Sequence, residues 1–174
     1  MGDDCNAQPL AATNLAARIR CVSIQDMNET MVTLREVTAD TVLAVCDLET
    51  NDHQKDFVAP NAVSIAQAHF APSARFRAIH AGETPVGFLM WRPQDGGSVC
   101  YLWRLMIDRH HQGRGYGRAA MALLFTGARS DGFKRMLTSY VPGDAGPREF
   151  YIALGFRETG ESRLNGERLM DLVL

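Results

Sequence analysis

A single turn restricts the architecture of this chain more than any other feature. The apolar run Val99–Ile107 ends in a polar segment, and three glycines then alternate at 113, 115 and 117. The stretch Gly115–Gly127 has helical character, and the following run, Arg135–Tyr140, reads as another strand. Strand, glycine turn, helix and strand in that order make a β-α-β crossover. Alternating glycines let the backbone approach a ligand closely and aim several N–H groups at one point. The helix N-terminus adds partial positive charge there, so the turn is an anion site. Arg109, Arg114 and Arg118 can add further charge. Spacing excludes two other phosphate loops: no Gly-Lys-Ser/Thr is present, and Gly-x-Gly-x-Gly is not the dinucleotide pattern Gly-x-Gly-x-x-Gly. The strand before, the helix after and the lead-in residue Gln112 set this segment apart from a turn that is merely rich in glycine.

The remaining elements follow from periodicity. Met31–Val37 alternates apolar and polar residues and reads as a strand. Val42–Leu48 has apolar positions at helical spacing, with Asp40 and Thr41 as candidate caps. A polar loop, 49–56, leads toward a second short helix, Ser64–Phe70, which Pro72 stops. Phe76–His80 and Val86–Arg92 form a hairpin, and a turn at 94–97 opens the long strand Val99–Ile107. After Arg135–Tyr140 come a helix, Arg148–Leu154, started by Pro147, and two strands, Phe156–Glu161 and Arg168–Leu174, around Asn165-Gly166. The sum is a mixed α/β (α+β) domain with a mostly antiparallel sheet.

The 174 residues suit one well-buried domain, 31–174, preceded by an extension, 1–30, that is expected to be either disordered or a misassigned start. Met27 or Met31 would serve equally as the first residue. No run reaches the roughly 18 apolar residues of a membrane-spanning helix. Four cysteines, Cys5, Cys21, Cys46 and Cys100, have no C-x-x-C spacing, so no zinc ribbon or other metal site is expected. The acidic start lacks the apolar core of a signal peptide, and Asn6 spoils a myristoylation motif at Gly2. A cytoplasmic protein is the expectation. The formal charge of −2 argues against a nucleic-acid partner, but it hides an asymmetry. Residues 1–60 carry a net −6 and residues 61–174 a net +4. The segment 101–135, which contains the glycine turn, carries a net +5.

At the turn the chain resembles the GNAT N-acetyltransferase superfamily, whose signature Gln/Arg-x-x-Gly-x-Gly/Ala matches Gln112-Gly-Arg-Gly115-Tyr-Gly117. The resemblance implies a twisted sheet of about seven strands flanked by about four helices, with acetyl-coenzyme A as co-substrate. It places the pantetheine arm along Leu105, Met106 and Ile107. The pyrophosphate would sit on Gln112, Gly113, Arg114, Gly115, Tyr116, Gly117 and Arg118. Family members often carry an Asn that contacts the coenzyme seven residues before a motif tyrosine, and Asp144 stands there in this chain.

That tyrosine belongs to a second matching block, Phe150-Tyr151-Ile-Ala-Leu-Gly155-Phe156. The resemblance makes Tyr151 the general acid. A phenol, with an unperturbed pKa near about 10, is suited to protonating a departing thiolate. A strand backbone N–H near Met106 is the expected oxyanion donor. The region Tyr101-Leu-Trp103-Arg104, where some relatives carry a glutamate base, offers none, so deprotonation by a water relay, or capture of the small neutral fraction of the amine, is expected.

Blocks at 54–68, 85–90, 102–108 and 112–121 resemble bacterial spermine/spermidine (diamine) N-acetyltransferases in particular. A small polycation is therefore the expected acceptor, drawn to Glu36, Glu49, Asp52, Asp56 and Glu83, with Trp103 as a cleft wall. A protein lysine, an N-terminus or an aminoglycoside is the alternative acceptor, and a non-catalytic acyl-coenzyme A-binding protein the alternative class. The resemblance also implies pairing into a homodimer.

Overall fold

A computed structural model describes residues 31–144 and 146–174, so the proposed extension, 1–30, lies outside the described residues. Seven strands form one sheet: β1 (Val32–Arg35), β2 (Arg75–Ala81), β3 (Thr84–Gln94), β4 (Val99–Ile107), β5 (Arg135–Tyr140), β6 (Arg157–Ser162) and β7 (Arg168–Val173). Their spatial order is β1-β2-β3-β4-β5-β7-β6. Every pairing is antiparallel except β4 with β5. The helices are α1 (Val42–Cys46), α2 (Asn61–His69), α3 (Tyr116–Ser130) and α4 (Arg148–Ala153). The elements appear in the order and type read from the sequence, with ends that differ by a few residues.

The largest differences are three residues, at the end of α3, which runs to Ser130 rather than Gly127, and at the start of α2, which begins at Asn61 rather than Ser64. The carbonyl of Pro60 accepts the Ser64 N–H at 3.0 Å, opening the helix directly after the proline. Asn61 is buried and donates from Nδ2 to the Val45 carbonyl at 2.8 Å, so its side chain ties α2 to α1 instead of capping.

Two apolar layers hold the sheet. On one face α3 lies across β1, β2 and β4. There Met121, Leu124 and Ala128 pack with Ile79, Leu89, Leu102, Met136, Tyr151 and Phe156. On the other face Val45 of α1 and Ala68 of α2 pack with Ala78, Phe88, Met90 and Met106. Strand alternation explains the split, since Phe88 and Met90 face one layer and Leu89 the other.

The parallel pair opens partway along its length. Strands β4 and β5 are in register only from Val99↔Arg135 to Leu102↔Thr138. Beyond that point β4 stays with β3 as far as Gly87↔Ile107, while β5 stays with β7 as far as Tyr140↔Arg168. A register shift at Met90/Trp91 leaves Trp103 as an extra residue on β4, which bends the strand where the two part.

Candidate active site

The gap between β4 and β5 is a cavity of about 580 Å³. Its walls come from β4, the glycine turn, the start of α3, the end of β5, α4 and the loop between α1 and α2. Leu105, Met106, Ile107, Gln112, Gly113, Gly115, Tyr116, Gly117 and Arg118 all line it; Arg114 does not and is exposed.

At the turn, Gly113 and Gly115 have φ of +75° and +83°, a region other residues enter only at a cost. Gly115 immediately precedes α3, so the first N–H groups of that helix are directed toward the mouth of the cavity. Gln112 braces the turn. Its Nε2 donates to the Ile107 carbonyl at 3.0 Å and to Gln54 Oε1 at 2.8 Å, and its Oε1 accepts from Asn51 Nδ2 at 2.9 Å. Asp108 does similar work one turn earlier. Its carboxylate accepts the N–H groups of Glu49 at 3.1 Å and His110 at 3.0 Å, and lies 3.1 Å from His111 Nδ1. Burial disfavours the Asp108 charge, yet these partners hold its pKa below the usual carboxylate range. Asn51, Gln54 and Asp108 escaped the sequence reading, because only the fold brings the loop after α1 against the end of β4.

The ladder with β3 decides which backbone groups of β4 face the gap. Asp108 N donates to the Val86 carbonyl at 2.9 Å, and hydrogen-bonded pairs alternate along an antiparallel ladder. Met106 and Arg104 are therefore the residues bonded to β3, while Leu105 and Ile107 turn their N–H and C=O groups toward β5. The carbonyl of Ile107 indeed meets Gln112 on that side. The N–H of Met106, the expected donor, is thus taken up by β3, which leaves those of Leu105 and Ile107 facing the gap, and the side chain of Met106 is buried in the α1–α2 layer. Free strand groups, a glycine turn and a helix N-terminus along one cavity fit an extended ligand that ends in a pyrophosphate.

Tyr151 forms part of the same wall and is buried. Burial pushes its phenol up to about 12, with the Thr138 hydroxyl beside it pulling partly back. The phenol thus stays protonated at neutral pH and can donate. Asp144 is exposed and does not line the cavity; Gly146 and Pro147 from the same loop do. Cys46 and Cys100 are outside the lining, and burial raises the Cys100 thiol to about 12, where it is a poor nucleophile.

The expected acidic set does not converge. Of its five members only Asp56 lines the cavity, together with Trp103. Each of the other four has a base of its own: Glu36 with Arg77 at 3.3 Å, Glu49 with Arg109 at 3.2 Å, Asp52 with Lys55 at 2.7 Å and Glu83 with Arg35 at 2.7 Å. Glu36 and Glu83 sit at the β1–β2 side of the sheet, held there by strand register. The carboxylate that sequence reasoning missed is Glu167, which lines the cavity from the turn before β7. No local pattern marks it.

The model of the acetyltransferase (GNAT) family matches residues 42–156, which span the cavity from α1 to the end of α4. The chain belongs to that family. Acetyl-coenzyme A is its co-substrate. A relative from Bacillus subtilis subsp. natto, named "Probable spermine N(1)-acetyltransferase", is 26% identical over 147 residues, 80% of this chain and 96% of its own. The spermine/spermidine N(1)-acetyltransferase of Bacillus subtilis strain 168 matches with the same identity and coverage. Among solved structures, the PaiA N-acetyltransferase of Thermoplasma acidophilum, in complex with coenzyme A, has a TM-score of 0.64 at 11% identity. That likeness covers 83% of this chain and all of the other and concerns the fold. No helix among the described residues is long and apolar enough to cross a membrane.

Proposed function

We propose that this member of the family transfers acetyl directly from acetyl-coenzyme A to a primary amine of a small molecule, both held together in one complex. The observation that carries the reading is the β4–β5 gap, with Tyr151 in its wall and the glycine turn at its mouth. Bound acetyl-coenzyme A supplies the acetyl group as an activated thioester. Leu105 and Ile107 hold the pantetheine arm through backbone groups, and the turn from Gln112 to Arg118 holds the pyrophosphate. The Leu105 N–H polarises the acetyl carbonyl and bears the oxyanion charge as it develops. Tyr151 gives its proton to the departing sulfur. No cysteine lines the cavity among the described residues, which supports direct transfer over a thioester on the protein.

A polyamine acceptor has the support of the two Bacillus relatives' names, and of Asp56 in the cavity lining. Pairing into a homodimer belongs to the same proposal and is read from light scattering of the full chain. The test of the main reading is a panel of amines incubated with acetyl-coenzyme A, following release of free thiol. Turnover with at least one primary amine is expected, with acetyl found on its nitrogen. Binding of the coenzyme without thiol release from any amine would instead favour a non-catalytic acyl-coenzyme A-binding protein.

A further inference from the structure

Two charged side chains in the cavity have no part in the chemistry described so far. Arg104 projects from β4 just past the point where β4 leaves β5, and Glu167 stands beside the end of β5, just before β7 pairs with it at Tyr140↔Arg168. They flank the gap from opposite sides.

Arg104 is half-buried with neutral partners only. Its Nη1 donates to the Trp103 carbonyl at 2.9 Å and its Nη2 to Gln67 Oε1 at 3.1 Å, while its buried Nε has no partner. No carboxylate lies within ion-pair distance of it among the described residues. Burial pulls its pKa down from the ordinary arginine value, against the opposing pull of Tyr101 and of Glu167 across the gap. Arg92 lies 4.8 Å from the centre of the same Trp103 ring that Arg104 approaches at 5.4 Å. Its buried Nε is also without a partner, and it too lacks a carboxylate among the described residues. Two guanidinium groups crowd one indole, and a planar fork of donors is suited to a carboxylate. An anion arriving at Arg104 would offset its desolvation and the repulsion that Arg163 exerts on it.

Glu167 is prepared differently. The Ser139 hydroxyl donates to its Oε2, and the same hydroxyl is 2.7 Å from that of Tyr101. Its nearest base, Arg163, is 4.0 Å away and lies 4.6 Å from the Tyr101 ring. The Oε1 atom has no hydrogen-bond partner among the described side chains and is free to meet a cation. One side of the gap thus offers an oriented carboxylate and the other a guanidinium with no direct ion-pair partner among the described residues. A polycation would be repelled by the second.

We propose that the acceptor is an amine that also carries a carboxylate, its ammonium received by Glu167 and its carboxylate by Arg104. This rests on the acetyltransferase reading above and names its substrate class. Glu167 takes one proton from the ammonium and passes it to water. The freed lone pair forms the C–N bond to the acetyl carbon, the C–S bond breaks, and the sulfur leaves with its electron pair. The second nitrogen proton, lost on collapse, balances the one Tyr151 gives to sulfur. The products are an N-acetylamino carboxylate, coenzyme A and one released proton.

The experiment compares butylamine, putrescine and 4-aminobutyrate, amines of equal chain length, with α-amino acids, spermidine and spermine. Thiol release is measured for the wild-type chain and for R104Q, R104K and E167Q. The two carboxylate sources, α-amino acid and longer aminoalkanoate, separate within the panel. An amino carboxylate is expected to give the highest kcat/KM. In R104Q the preference for it over the plain monoamine should fall about tenfold or more, in KM rather than kcat, with R104K restoring part. E167Q should lower kcat. Putrescine or a polyamine outrunning every amino carboxylate overturns the inference alone, as does an unchanged preference in R104Q. Coenzyme binding without thiol release from any amine overturns both the inference and the reading beneath it.

Discussion

In the proposed donor half of the cavity the lining is backbone: the N–H and C=O groups of Leu105 and Ile107, two glycines with positive φ, and the start of α3. In the proposed acceptor half it is side chains, Arg104 from β4, Glu167 from the turn before β7, and Asp56 from the loop between α1 and α2. The backbone half is contiguous in sequence and carries a spacing pattern. The side-chain half is assembled from three segments spread over more than a hundred residues, and nothing local announces it. A common donor can be held by a common frame, while the acceptor depends on side chains that can change without disturbing that frame.

The comparison breaks most sharply at Tyr151, which sits between the halves and serves both. Changing it to Phe removes the proton donor while keeping the ring in its buried site. We expect kcat to fall about a hundredfold or more with acetyl-coenzyme A affinity nearly unchanged, as read by thiol release and calorimetry. Unaltered turnover would remove Tyr151 from the chemistry. Its raised pKa carries a sign as well. The acid must be protonated to act, so its ionisation should not reduce the rate below about pH 10. An alkaline loss nearer neutrality in the wild-type chain, absent from the Phe variant, would contradict this.

Next in size is the donor half. In Gly115→Ala a side chain must adopt φ near +83° or move the turn, at a cost of roughly 1–2 kcal/mol. Acetyl-coenzyme A should bind about tenfold more weakly while the order of preference among amines stays the same. A changed acceptor preference would mean that the halves are not separable. Gln112→Ala is expected to be milder. It loses the three hydrogen bonds that brace the turn, each of which contributes about 1 kcal/mol. The melting temperature should drop by several degrees and KM for acetyl-coenzyme A should rise a few-fold. An unchanged melting temperature would show that the brace is dispensable.

The smallest effect is expected from the carboxylates assigned to the acceptor by sequence alone. Glu83→Gln and Asp52→Asn remove exposed ion pairs outside the cavity, with Arg35 and Lys55. The acceptor KM should stay within about twofold of wild type. A marked rise in KM for a polyamine in either variant would restore the acidic-loop reading.

The order and type of all seven strands and four helices were legible in the sequence, because periodicity and turn residues act over a few positions. Element ends were less so. The start of α2 depends on Asn61 reaching the carbonyl of Val45, a contact made only after α1 and α2 dock. The oxyanion donor could be placed only to within one residue. A strand's spacing does not say which of two adjacent N–H groups faces its neighbour until the partner register, here Val86 with Asp108, is known.

The sequence by itself determined the fold class, the family and the anion-binding turn. Each is written in short-range patterns of glycine, proline and apolar spacing that hold in any context. Only the tertiary structure decided which charges line the cavity. It paired Glu36, Glu49, Asp52 and Glu83 with bases outside the cavity, and it set Glu167 across the gap from Arg104. A charge acts through distance and desolvation. Those are set by how β4 parts from β5 and by where the turn before β7 comes to rest, not by neighbours along the chain.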